Sequence, residues 1–211
     1  MNSMGIKTLL QHPLAGINSN NAQEKFAEIA QNLFNNFCIK CGEKRYYFAE
    51  VEFYYYDSNG LTHEWNKVTY KRKQYKVGDL FYHLSGVDVC FDSDEDRYGG
   101  ILIRSVVDEY DEVTVGPLKC VYKMLNDCNG KQMPQIVPIP VSEKRKNDPK
   151  STYRYLGKAD FDLIGMGNNK ESTEKNKDGD LKLAFYDSTI DSASWNKARS
   201  SYYSNRLVKY K

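Results

Sequence analysis

Between Phe26 and Phe37 apolar side chains recur every three or four residues: Phe26, Ile29, Ala30, Leu33, Phe34 and Phe37. That spacing predicts an amphipathic core helix over Asn21–Phe37, with Asn20 or Asn21 as its cap and an end near Cys38. From Arg45 to Tyr56 the period drops to two. Tyr47, Ala49, Val51, Phe53 and Tyr55 fall on one face, and Tyr46, Phe48, Glu50, Glu52, Tyr54 and Tyr56 on the other, as in a β-strand.

Gly78 to Asp92 has the form of a hairpin. Leu80–Leu84 and Val87–Phe91 flank Ser85-Gly86, a pair suited to a tight turn. Gly99–Val107 supplies another strand. Gly116-Pro117 opens a helix over Pro117–Asn126, since proline is tolerated in a first turn where its missing N–H has no partner to lose. Val121, Met124 and Leu125 give that helix an apolar face, and Asn129-Gly130 ends it. Beyond Gly130 the pattern weakens. Pro134, Pro138 and Pro140 punctuate an extended stretch, and the polar, charged segment Gly165–Gly179 is expected to be a mobile loop. Trp195–Tyr203 reads as a short helix and Arg206–Tyr210 as a last strand.

Strands grouped between helices give an α+β class with a curved, mainly antiparallel sheet and helices packed outside it. The 211 residues suit a single domain, divided into an N-terminal helical segment 1–44, a core 45–130 and a C-terminal part 131–211. With 40% hydrophobic and 13% aromatic residues, the chain can bury a sizeable core. No apolar run approaches a bilayer's thickness, which argues against a membrane partner. Thirty Lys and Arg against 28 Asp and Glu leave a net charge of +2, so any attraction to nucleic acid must be local. The odd count of five Cys and the absence of an apolar leader in Met1–Gly16 point to a reducing cytoplasm.

Two carboxylates, Glu50 and Glu52, stand on a strand face otherwise rich in Tyr and Phe. A carboxylate walled by rings loses water, which moves its proton affinity toward the range useful to a general base; the plain alternative is a solvated edge. The order of motifs around this strand carries more. Glu50-x-Glu52-x-Tyr54 is followed by His63, the Gly78–Asp92 hairpin, Gly99-Gly-Ile-Leu-Ile-Arg104-Ser-Val, and Gly116-Pro-Leu-Lys119. From about Arg45 to Gly130 this series resembles the 3-methyladenine DNA glycosylase family of the alkyladenine type.

The resemblance implies a single curved antiparallel sheet and hydrolysis of the N-glycosidic bond of damaged purines, alkylated or deaminated, in base excision repair. It casts Glu52 as the base that deprotonates water and stabilises the oxocarbenium-like sugar, with His63 and Arg104 beside that water. Tyr54 and Tyr82 become ring walls for the extruded base, and Asp92 takes a polar position at the hairpin's end. The proposed site has no lysine amine to form a Schiff base. The enzyme is therefore expected to be monofunctional, with no metal or organic cofactor.

The chain departs from the family at the hairpin tip, where the aromatic that wedges into the duplex is replaced by Ser85-Gly86. The acidic run from Asp92 to Asp96 would repel phosphate nearby. A basic stretch containing Lys71, Arg72 and Lys73, interleaved with Tyr70 and Tyr75, suits a nucleic-acid backbone, as does a second one from Lys197 to Lys211. The expected partner is DNA, duplex or single-stranded, and the expected state is a monomer. Cys38-x-x-Cys41 has a redox or zinc spacing but lacks the second pair of a structural zinc site. Two other functions are open: a catalytically inactive module of the same fold that binds nucleic acid or a modified nucleobase, and a nucleoside hydrolase.

Overall fold

The computed structural model describes residues 5–11, 17, 21–58, 69, 76–91, 93–130, 132–140, 149–152, 184–187 and 190. The expected elements at 165–179, 195–203 and 206–210 lie outside these residues. After a short helix α1 (Ile6–Gln11), α2 (Ala22–Asn36) begins at Asn21, whose carbonyl accepts from Lys25 N–H at 3.0 Å while its side chain makes no capping bond. The helix does not end in a loop. Phe37 keeps its N–H on Leu33 while its own backbone turns extended, and β1 (Phe37–Cys41) starts there.

β1 and β2 (Lys44–Asp57) form a hairpin through Gly42-Glu43, with Cys41 opposite Lys44. Gly42 sits at φ +61°, a conformation that glycine adopts without steric cost. The chain continues through β3 (Leu80–His83), β4 (Gly86–Cys90), β5 (Arg97–Asp108), β6 (Val113–Val115), α3 (Pro117–Asp127) and β7 (Gln135–Pro138). Two short strands, β8 (Pro149–Thr152) and β9 (Ala184–Asp187), are the last elements among the described residues. Among the described residues one nine-stranded sheet runs β3-β4-β5-β2-β1-β7, with β6 on β5, β9 on β2 and β8 on β9. Every pairing is antiparallel, and the sheet curls into a half-barrel within an α+β domain.

The Gly78–Asp92 hairpin forms, but its turn falls one residue earlier than the sequence suggests. Leu84-Ser85 make the turn and Gly86 pairs with His83. Gly86 has φ +151°, and a Cβ there would lie 2.7 Å from Pro117 Cβ and 2.9 Å from Leu102 Cδ1, so only glycine lets β4 begin against the start of α3. α3 ends where expected, with Asn129 and Gly130 both at positive φ.

The main core joins α2 and α3 to one face of the sheet. Phe53 stacks on Phe26 with ring centroids 4.7 Å apart and meets Phe185 edge-on at 5.5 Å. Met124 and Cys120 enter the same core from α3. Each fully buried Phe or Leu contributes roughly 1.5–3 kcal/mol of transfer free energy, and this face carries most of them. A second, smaller cluster of Cys38, Tyr47, Val107 and Ile139 lies on the other side of the sheet.

Candidate functional site

The polar residues of the sheet are gathered on its second face by an irregularity in the β2–β5 ladder. Phe48 faces Val106, Glu50 faces Ser105, and Val51 faces Ile103. The register thus steps over Ala49 on β2 and then over Arg104 on β5, two bulges that cancel each other. Each bulge shifts its own strand's alternation by one residue. On β2 the core side chains are Tyr46 and Phe48 before the slip and Val51, Phe53 and Tyr55 after it. On β5 they are Ile101 and Ile103, then Val106. The unbroken alternation expected from the sequence is corrected accordingly: Tyr46 and Phe48 join the core, while Glu50, Glu52 and Tyr54 keep the opposite face.

On that face Arg104 Nη1 donates to Glu52 Oε2 at 2.7 Å, between residues 52 positions apart in the chain. Arg104 Nε lies 3.7 Å from Glu50 Oε1, and Ser105 Oγ donates to Glu50 Oε2 at 3.1 Å. Glu52 is 0% exposed, Glu50 1% and Arg104 2%. Charges this deep are tolerated only when paired and hydrogen-bonded, and a guanidinium at such range favours the charged form of a carboxylate. The bulge is fixed from behind, because Gly116 N–H, at the start of α3, donates to the Arg104 carbonyl at 2.8 Å. With two carboxylates and one guanidinium, the cluster carries a formal charge of −1.

A second polar pair shares the face. Across the sheet, Phe81, Asp88, Leu102 and Glu52 occupy one row of directly opposed positions. His83 Nε2 lies 3.1 Å from Asp88 Oδ1, its ring stacks on Phe81, and Ser85 N–H donates to its Nδ1 at 3.2 Å. An Nδ1 that accepts a backbone N–H carries no proton, so the hydrogen sits on Nε2 and points at the Asp88 carboxylate. Both ring nitrogens are thereby used to fix the turn Leu84-Ser85. Leu84 stands on that turn 92% exposed.

Of the residues singled out from the sequence, the structure brings Glu52 and Arg104 into contact and sets Tyr54 one alternation further along the same face. Opposite Tyr54 on β5 is Gly100, which has no side chain. Tyr82 is placed elsewhere. It faces Val87 and packs against the main core, with its buried hydroxyl lacking a hydrogen-bond partner among the described residues. Burial, with the Cys41 and Cys128 thiols nearby, pushes its phenol up to about 12. Tyr54 and Tyr82 therefore occupy opposite faces of the sheet and do not form two walls of one slot. His63, Lys71, Arg72, Lys73 and Asp92 lie outside the described residues.

Cys38 and Cys41 belong to β1 rather than to a helix end. Three residues apart on a strand, they point to opposite faces, Cys38 into the small cluster and Cys41 into the main core. The spacing therefore does not make a pair. Sequence reasoning missed Ser105, Asp88 and His83. The available signal was a lone carboxylate, Asp88, between Val87 and Val89 in an apolar strand, where an acid is rarely buried unless it is partnered. No family model matches this chain, and no curated protein or solved structure is significantly similar to it.

Proposed function

We propose that this protein is a monofunctional DNA N-glycosylase that releases alkylated or deaminated purines by water attack. The observation that carries the proposal is the buried contact between Arg104 and Glu52. The resemblance to the alkyladenine-type glycosylases names these two residues together on sequence alone, and the fold joins them across 52 residues of chain through a double bulge. An oxocarbenium-like transition state needs an anion beside it, and an attacking water needs a fixed acceptor for its proton. Glu52, held by Arg104, is both, with the Tyr54 ring beside it for a base taken out of the stack. In this proposal Leu84 enters the space vacated by the base, since apolar side chains such as Leu serve as wedges between base steps. That revises the sequence expectation, which left Ser85 at the hairpin tip.

A second function is favoured by one specific observation, the complete burial of Glu52. A general base must reach the attacking water, whereas a module that only binds DNA of the same kind needs no such access. Incubation with duplex oligonucleotides bearing alkylated or deaminated purines, followed by chromatography of free bases, separates the two. The glycosylase releases base without added metal. Its Glu52→Gln variant binds the same duplex but releases base at least ~10²-fold more slowly, the usual loss for a general base. Release unchanged in Glu52→Gln overturns the mechanism, and binding with no release from any such substrate assigns the protein to the binding function.

A further inference from the structure

Glu50 has no part in the chemistry proposed above, yet it is as buried as Glu52 and touches the same guanidinium. Arg104 lies between the two carboxylates, with Nη1 at 2.7 Å from Glu52 Oε2 and Nε at 3.7 Å from Glu50 Oε1. The second oxygen of Glu50 is held by the Ser105 hydroxyl at 3.1 Å. The two bulges make this sharing possible. With an unbroken ladder, Glu50 and Ser105 could not be directly opposed while Val51 faces Ile103.

We propose that Glu50 is a positioning residue that sets the strength of Glu52 as a base by sharing Arg104 with it. A carboxylate that had the guanidinium to itself would be a poor proton acceptor. A second anion a few ångströms away draws part of that cation's field and adds its own repulsion, and both effects raise the affinity of Glu52 for a proton. Ser105 keeps Glu50 from rotating away or from taking the guanidinium outright. The inference rests on Glu52 being the general base.

The charged or titratable residues facing this cluster from the described elements are few. Arg104 stands on β5, Asp88 with its partner His83 on β4 and β3, Tyr54 on β2, and Cys120 on α3, while Tyr186 occupies the β9 position opposite Glu50. Burial pushes the Cys120 thiol up to about 12, so it stays neutral while the carboxylates titrate.

Carbon-13 NMR of carboxyl-labelled glutamate, followed against pH, tests the coupling without any substrate. In the native protein the Glu52 signal moves in two steps, the mark of coupling to a second carboxylate. In Glu50→Gln the Glu52 signal moves in one step with a lower midpoint, and Glu50→Asp keeps the two-step behaviour. The acid limb of base release shifts in the same direction in Glu50→Gln. A merely structural Glu50 would lower the melting temperature and the rate at every pH and leave the limb in place. Single-step, independent titration in the native protein, or an unmoved Glu52 midpoint in Glu50→Gln, overturns the proposal. If the native protein releases no base at all, the assignment of Glu52 as general base fails, while the NMR titration still decides whether Glu50 and Glu52 are coupled.

Discussion

Arg104 reaches Glu52 at 2.7 Å from inside a bulge, at the one place on β5 where the ladder with β2 steps over a residue. The contact and the bulge depend on each other. The bulge turns Arg104 and Ser105 to the face of the two glutamates, and the ion pairs offset the cost of the broken ladder. Because the slip on β2 is undone by the slip on β5, the pairings beyond it, from Val51–Ile103 to Asp57–Arg97, proceed in normal register.

Removing the guanidinium should therefore damage stability as well as chemistry. Arg104→Met fills much the same volume but leaves two carboxylates buried without their cation, a loss that typically costs ~3–5 kcal/mol. Urea unfolding at neutral pH, read by tyrosine fluorescence, is expected to show the unfolding free energy falling by that amount and the midpoint falling with it. An unchanged midpoint would mean that the buried cluster is solvated in solution. Glu52→Gln retains a hydrogen-bond acceptor for Arg104 and should cost much less, which makes it the cleaner probe of catalysis.

The hairpin tip separates a role in binding duplex from a role in folding. Leu84 is 92% exposed on a turn held by Ser85 N–H on His83 Nδ1 and by His83 on Asp88. Leu84→Ala should change stability by no more than about 0.5 kcal/mol, as surface substitutions usually do. If the side chain fills a vacated stack, the same change should slow base release from duplex by roughly tenfold and leave release from single strands unaltered, because only the duplex has a stack to fill. Equal losses on both substrates would place the effect of Leu84 somewhere other than the stack.

The elements most legible in the sequence are those with one unbroken period: the Asn21–Phe37 helix and the helix after Gly116-Pro117. β1 was hidden because Phe37 completes the helical pattern of α2 while also starting the alternation of Phe37, Ile39 and Cys41, so one residue serves both periods. Cys38 and Cys41 then looked like a pair at a helix end, although a strand sends them to opposite faces. The bulges were hidden for a related reason. Tyr and Phe occupy consecutive positions from Tyr46 to Phe48 and from Phe53 to Tyr56, so a slip of one residue leaves both faces aromatic and the alternation looks intact. Of the site, Glu52, Tyr54 and Arg104 were legible through the order of motifs. Ser105 and the His83–Asp88 pair become visible only when register brings distant strands side by side.

Alkaline pH should unfold the protein through groups whose burial favours the neutral form. Burial raises the Tyr55 and Tyr82 phenols from the usual 10.0 to about 12 and the Cys120 thiol from 9.0 to about 12. Their folded values lie above their unfolded ones, so their contribution to stability is fully present below about pH 9 and is lost as pH rises toward 12. The unfolded chain releases these protons first, the thiol from about pH 9 and the phenols from about pH 10. The urea midpoint is thus expected to fall progressively between pH 9 and 12, each group adding up to about 1.4 kcal/mol per pH unit within its own window. Tyr82→Phe isolates one contribution. Its hydroxyl has no hydrogen-bond partner among the described residues, so the substitution should be neutral or slightly stabilising at pH 7 and should flatten the decline above pH 10. A Tyr82→Phe variant that is less stable at pH 7, with an alkaline decline as steep as the native protein's, would show that the hydroxyl has a partner in solution.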